Sequence, residues 1–284
     1  MTAKEPRREI ETLQRNLPGS WNEIPEENRL GLLKRLLYSD GYETKIEILY
    51  DLLKVPRNYF LAMDEGQILE LINCLDFLKI DSITDPIVAS FEHRGRKYYL
   101  PKAKFQNGTA IEYPIADEFY TKFCKSGADN DLLALCGTLC REAHRNAENA
   151  KKRGDIRVPL HSRNEALERA QDLKGLPIEI STSCLLYFSG IKQYINQTYG
   201  PWIFHRKDNF EAGEVDFENS DDEENSFGWW GAFFDVAESG VFGNLKSVFQ
   251  TSFHSICIYL VKKRKEKLEF DKKLNKSQNQ NNLE

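Results

Sequence analysis

An uninterrupted acidic run divides this chain. Between Asp208 and Glu224 stand nine Asp or Glu and not one Lys or Arg. Such a composition repels itself and cannot bury enough apolar surface to fold alone. Folded structure is therefore expected on either side, in a body over residues 17–200 and a module over 227–270. The segment that follows the acidic run, FGWWGAFFDVAESGVFG (227–243), is dense in Trp and Phe. A module of that size makes a very small core by itself. Trp229, Trp230, Phe233, Phe234 and Phe242 are thus candidate interaction anchors, or they fill a core with Phe249 and Phe253. Aromatic side chains dominate both settings.

The class of protein follows from a few further observations. A chain of 284 residues that is 40% hydrophobic and 12% aromatic can build a packed core. No stretch approaches eighteen uncharged apolar residues, and the start, MTAKEPRREIETLQRN, alternates charge where a secretory leader would be apolar. A cytoplasmic protein without membrane contact is expected. The six Cys are scattered and form no CxxC pair, which points to buried, reduced thiols. From Lys262 to Lys276 there are eight basic and three acidic residues. That basic tail can pair with the acidic run. Nucleic-acid binding is not expected, because no reading motif accompanies the charge.

Hydrophobic periodicity predicts a mainly α fold: a helical-bundle body with a small β-hairpin insertion, an acidic linker (208–226), and a C-terminal helical module (227–270). A charged arm (1–16) and a disordered tail (271–284) flank it. In the three-helix part (17–80), Pro25 suits a first helical turn, and Leu30, Leu33 and Leu37 form the buried stripe of the helix it opens. A second helix covers 43–54, and Pro56 disfavours its continuing. Asp64 stands as N-cap to a third, with Ile68, Leu71, Ile72, Leu75 and Leu78 at helical spacing. The β-hairpin region (87–114) contains VASFEHRGRKYYLP, with turn signals at Arg94-Gly95 and Asn107-Gly108, for one or two hairpins. Over 116–200, helices are predicted at 116–125, 130–151, 164–173 and 179–199, with GDIRVPLHS (154–162) extended. A short helix over 230–239 is ended by Gly240. The last helix, about 252–270, aligns Phe249, Phe253, Ile256 and Leu260, and the polar NKSQNQNNLE beyond it is expected to fray.

Candidate chemistry is sparse. Cys136, Cys140 and His144 recur every four residues and are the best metal-ligand candidates. Tetrahedral zinc, however, takes four ligands, usually drawn as pairs from separate elements. Cys136 shares its predicted face with Leu132, Leu135 and Leu139, so a core thiol is the stronger reading. No cofactor is implied. Nucleotide-binding and hydrolase signatures are missing. The adjacent carboxylates Asp221-Asp222 and Glu223-Glu224 fall where nothing fixes the geometry that acid–base work needs. HRGR (93–96) reads as a solvated turn. A non-enzymatic protein is expected.

The order of the pieces carries more. LPGSWNEI (17–24) precedes three helices. IADEFY (115–120), LLALCGTLCR (132–141), IRVPL (156–160) and LLYFSGIKQYI (185–195) follow in order, and then GWWGAFFDVAESGVFGNLKSVFQTSFHSICIYL (228–260). This pattern resembles a group of proteins from phages and prophages of Bacteroidetes-type hosts, found near the tail tape-measure gene and regarded as tail assembly chaperones. The resemblance implies a chaperone in the bacterial cytoplasm, without enzymatic activity, that holds the tape-measure protein before tube polymerisation. By analogy, 17–200 would bind the tape measure, and 227–268 would be an extension that recruits tail-tube protein. Self-association stays open. The alternative is a structural virion component, such as a head–tail or baseplate adaptor, or another helical protein-interaction adaptor. On the modular reading, a chain ending at Ser226 keeps a folded body and loses partner recruitment.

Overall fold

In a computed structural model of the chain, residues 4–39, 41–56, 58, 60, 62–78, 83–203 and 228–281 are described. The acidic linker lies outside the described residues. Among them are twelve α-helices and one three-stranded antiparallel sheet, so the protein is mainly α with a small β insertion, as its periodicity predicts.

The N-terminal part contains α1 (Lys4–Asn16), α2 (Glu26–Tyr38), α3 (Tyr42–Leu53) and α4 (Glu65–Asn73). The charged arm is itself a helix, and it buries Ile10 and Leu13 on one side. Its Glu11 and Arg15 stay exposed, as on the polar side of an amphipathic helix. The Asp64 side chain accepts from the Gln67 amide while the Gln67 side chain reaches back, completing a capping box that starts α4. On α2 the buried pair is Leu32 and Leu33, whereas Leu37 is 37% exposed. The predicted Leu30–Leu33–Leu37 stripe is therefore rotated.

The hairpin forms as expected. Strand β1 (Ser90–His93) pairs with β2 (Arg96–Tyr99), and the turn has positive φ at Arg94 (49°) and Gly95 (75°). That double left-handed turn matches the strand twist. The second turn signal makes no hairpin. Residues after Asn107 instead lead into α5 (Glu112–Ser126).

Helices α6 (Asp129–Leu139), α7 (Ala147–Arg153), α8 (Arg163–Asp172) and α9 (Ile178–Ile203) complete the body. A single helix over 130–151 does not exist. The chain turns extended at Cys140, and Arg141–Glu142 becomes β3 against Tyr98 and Tyr99. The extended reading of 154–162 holds where Arg157 bridges Ala143. Two glycines set helix spacing. A Cβ on Gly137 would stand 2.4 Å from the Ala166 carbonyl oxygen, bringing α6 and α8 to close contact, and one on Gly190 would stand 2.2 Å from the Ile83 oxygen.

The last elements are α10 (Gly228–Glu238), α11 (Leu245–Gln250) and α12 (Phe253–Asn281). Gly240 follows α10 with φ of 70°, the left-handed stop its sequence predicts. Helix α12 runs well past Phe270, where fraying is expected from composition. Its Lys262 and Lys263 reach Glu266 at 3.8 and 3.2 Å, and such pairs support an exposed helix. Buried side chains from Ile10 to Cys257 belong to one connected core.

Candidate functional site

The segment 105–113 is the point on which several elements converge. Thr109 bridges Ser252 in antiparallel fashion. Backbone bonds run from Ala110 N to Thr251 O (2.9 Å), from Ile111 N to Phe249 O (3.1 Å) and from Phe253 N to Gly108 O (3.0 Å). The loop between α11 and α12 thus closes on the loop before α5 as a short ladder, which satisfies amides that helix starts leave open. Above it, Tyr113 stacks on Phe253 with centroids 4.3 Å apart, and Trp229 meets both rings edge-on at 5.3 and 4.9 Å. Burial pushes the Tyr113 hydroxyl well above its ordinary range.

The five aromatic candidates separate accordingly. Trp229 and Phe233 are buried in this cluster. Trp230 lies half-buried against Phe249 (5.7 Å), and Phe242 against Tyr259 (5.5 Å). Phe234 is 48% exposed, and beyond the five candidates Val241 and Ile258 are 61% and 60% exposed. The module therefore uses part of its aromatic surface inward and keeps part outward.

On its other side the same segment holds a group of buried charges that sequence reasoning missed. Glu112, Arg141, Asp155 and Arg157 are buried together. Glu112 Oε2 lies 2.7 Å from Arg141 Nη2 and 3.1 Å from Arg157 Nη2, and Asp155 Oδ2 lies 3.0 Å from Arg157 Nη2 and 3.5 Å from Arg141 Nη2. The second Glu112 oxygen accepts from the Thr109 hydroxyl (2.9 Å), and Asn107 Nδ2 donates to Asp155 Oδ1 (2.9 Å). Burial and the like charge of Arg157 pull Arg141 down to about 10 against its two carboxylates. Burial raises Asp155, but Arg157 and Arg141 outweigh it and hold the carboxyl below its ordinary value. Two acids and two bases cancel. With every carboxylate engaged, the quartet closes the core and offers no free base. The sequence holds one trace of it, two arginines and an aspartate close to otherwise apolar stretches, but nothing local says that they meet Glu112.

The quartet also accounts for the break at Cys140. Arg157 Nη1 caps the Leu139 carbonyl (2.8 Å) and Arg141 Nη1 donates to Val158 O (2.8 Å), which requires extended chain at 140–144. Cys136 and Cys140 are therefore separated from His144, whose Nδ1 accepts from the Asn146 amide at 3.0 Å. No group of three or more His, Cys, Asp or Glu able to hold a metal occurs among the described residues. The partner of Cys140 is Cys184, with sulfurs 3.3 Å apart, and burial followed by that contact raises the Cys140 thiol far above its usual range. All six cysteines are free thiols, with Cys136, Cys140, Cys184 and Cys257 buried and Cys124 exposed.

A second latch joins the module to the body. His254 Nε2 bonds the Lys104 carbonyl (2.7 Å) and its Nδ1 bonds the Tyr199 hydroxyl (2.9 Å). No described helix is long and apolar enough to cross a membrane. No family model, curated protein or solved structure matches the chain.

Proposed function

We propose that this chain is a non-enzymatic binding protein that holds helical segments of another protein in solution during assembly. On the resemblance of its ordered motifs, the other protein is a phage tape-measure protein, and tail-tube protein is recruited through residues 228–281. The observation that carries the reading is that this module leaves Phe234, Val241 and Ile258 exposed, in a segment whose last helix turns basic from Lys262 onward. A long helical ruler exposes apolar stripes until its tube surrounds it. Many weak helix-in-groove contacts would keep it soluble. Containment of the strongest ionisable cluster in the core also supports binding over catalysis.

Co-expression with the tape-measure and tube proteins of the source locus tests this. The expected result is a soluble tape-measure complex whose tube protein is lost in the triple variant Phe234→Asp, Val241→Asp, Ile258→Asp. A tape-measure protein that sediments equally with and without the chain overturns the reading.

A further inference from the structure

The N-terminal part holds an open surface between α2 and α3. Gly31, Lys34, Arg35 and Tyr38 lie on one face of α2. With Thr44 and Glu47 of α3 they line an open groove of about 520 Å³. Tyr38 is 74% exposed. Gly31 is the telling residue. A glycine in the middle of a helix is destabilising relative to alanine, and Gly137 and Gly190 have a packing reason to be there. Around Gly31 a Cβ would meet nothing within 4 Å. No described part of this chain fills the space, and bare backbone in a groove wall is what permits another helix to approach closely.

The charges of the two walls differ in sign. Lys34 and Arg35 stand along α2, Glu47 and Asp51 along α3. Lys34 pairs with Glu179 at 3.6 Å, and Arg35 with Asp51; all but Glu179 keep about half of their side-chain surface in solvent. Exposed pairs of this kind contribute little and can be exchanged for new partners. The stems of Lys34 and Arg35 and the Tyr38 ring supply the apolar floor.

We propose that this groove seats one amphipathic helix of the partner, its apolar stripe over Gly31 and Tyr38, with a carboxylate edge along α2 and an ammonium or guanidinium edge along α3. The proposal rests on the binding-protein reading above and adds to it the place and the chemistry of recognition. Reversing a helix exchanges its edges, so a given charge pattern fits the groove in one direction only. An occupant with edges of one sign would meet a like-charged wall.

The probe is a synthetic helical peptide of about 20 residues with a Leu stripe, Glu along one edge and Lys along the other, beside two controls whose edges are both Glu or both Lys. Fluorescence anisotropy on the full-length protein should give saturable binding of the mixed peptide, weakened about tenfold in the controls and at least about tenfold in Gly31→Leu. A Cβ at position 31 meets nothing and Leu is a better helix former than Gly, so circular dichroism of that variant should match the parent and its Tm should not fall below it. Gly31→Ala should raise Tm by about 2–4 °C while weakening the peptide.

No saturable binding, equal binding of all three peptides, unaltered binding by Gly31→Leu, or a lowered Tm in Gly31→Ala each overturns the groove. The same Gly31→Leu variant, co-expressed with the tape-measure protein, separates the two levels. A tape measure still held by Gly31→Leu removes the groove and leaves the chaperone reading. Peptide binding with no tape-measure capture does the reverse.

Discussion

Tyr113 and Phe253 stack nearly parallel, 10° between planes and 4.3 Å between centroids, although one begins a body helix and the other the last helix of the chain. Fully buried and flanked by Phe105, Phe188 and Trp229, they make the C-terminal module part of the body's core. Phe253→Ala should therefore cost about 3–5 kcal/mol, read from urea unfolding. A chain ending at Ser226 removes Phe253 and Trp229 and strips the Ala110 and Ile111 amides of their acceptors. It should unfold at markedly lower denaturant and bind a hydrophobic dye, contrary to the expectation of an independent body. Full-length protein should show one cooperative transition.

The buried quartet gives a prediction with a pH signature. Asp155→Asn leaves Arg157 and Arg141 with one carboxylate between them, and removing one partner of a buried ion network costs about 3–5 kcal/mol. Because Asp155 is held below its ordinary value in the fold, its stabilisation is complete above the unfolded carboxyl pKa of about 3.9. It is lost as pH falls through the lower folded value. Urea midpoints measured from neutral to acid pH should fall steeply at the acid end, and the slope there should be shallower in Asp155→Asn.

His254 is fixed in one tautomer. The Lys104 carbonyl can only accept, so Nε2 carries the proton and Nδ1 accepts from Tyr199. Nitrogen-15 shifts of the neutral ring should place the proton on Nε2 and leave Nδ1 bare. His254→Phe keeps the ring and loses both bonds, at a cost of about 1–3 kcal/mol.

How much of this was legible in the sequence depends on the range of the forces involved. Asp64 and Gln67, or Arg94 and Gly95, declare a helix start and a turn within four residues, and both form. The end of α6 at Leu139 does not declare itself, because its cause is Arg157, eighteen residues further on, acting with Glu112, twenty-seven before. Apolar spacing gave α2 a stripe through Leu37, but the body covers Leu32 and Leu33 instead; which flank of an apolar helix is covered is set by its neighbours. The aromatic cluster was visible as a cluster, and its division between Phe233 inside and Phe234 outside required the position of Tyr113. Helix α12 runs on past its last buried residue, Cys257, where the pairs of Lys262 and Lys263 with Glu266 support an exposed helix that apolar spacing does not announce.

Helix spacing supplies the last test. At Gly137 and Gly190 the obstacle to a Cβ is a backbone oxygen, at 2.4 and 2.2 Å, which no rotamer change can move aside. Alanine at either position must push α6 from α8, or α9 from the chain at Ile83, opening contacts through the core. The usual gain of Gly→Ala in a helix, about 1 kcal/mol, should therefore reverse into a loss of about 1–3 kcal/mol at each site. Calorimetry of the two variants checks this. Because α8 and Ile83 are separate contacts, the double variant should lose nearly the sum of the two, and a loss well short of it would mean that α6 and α9 shift together as one unit.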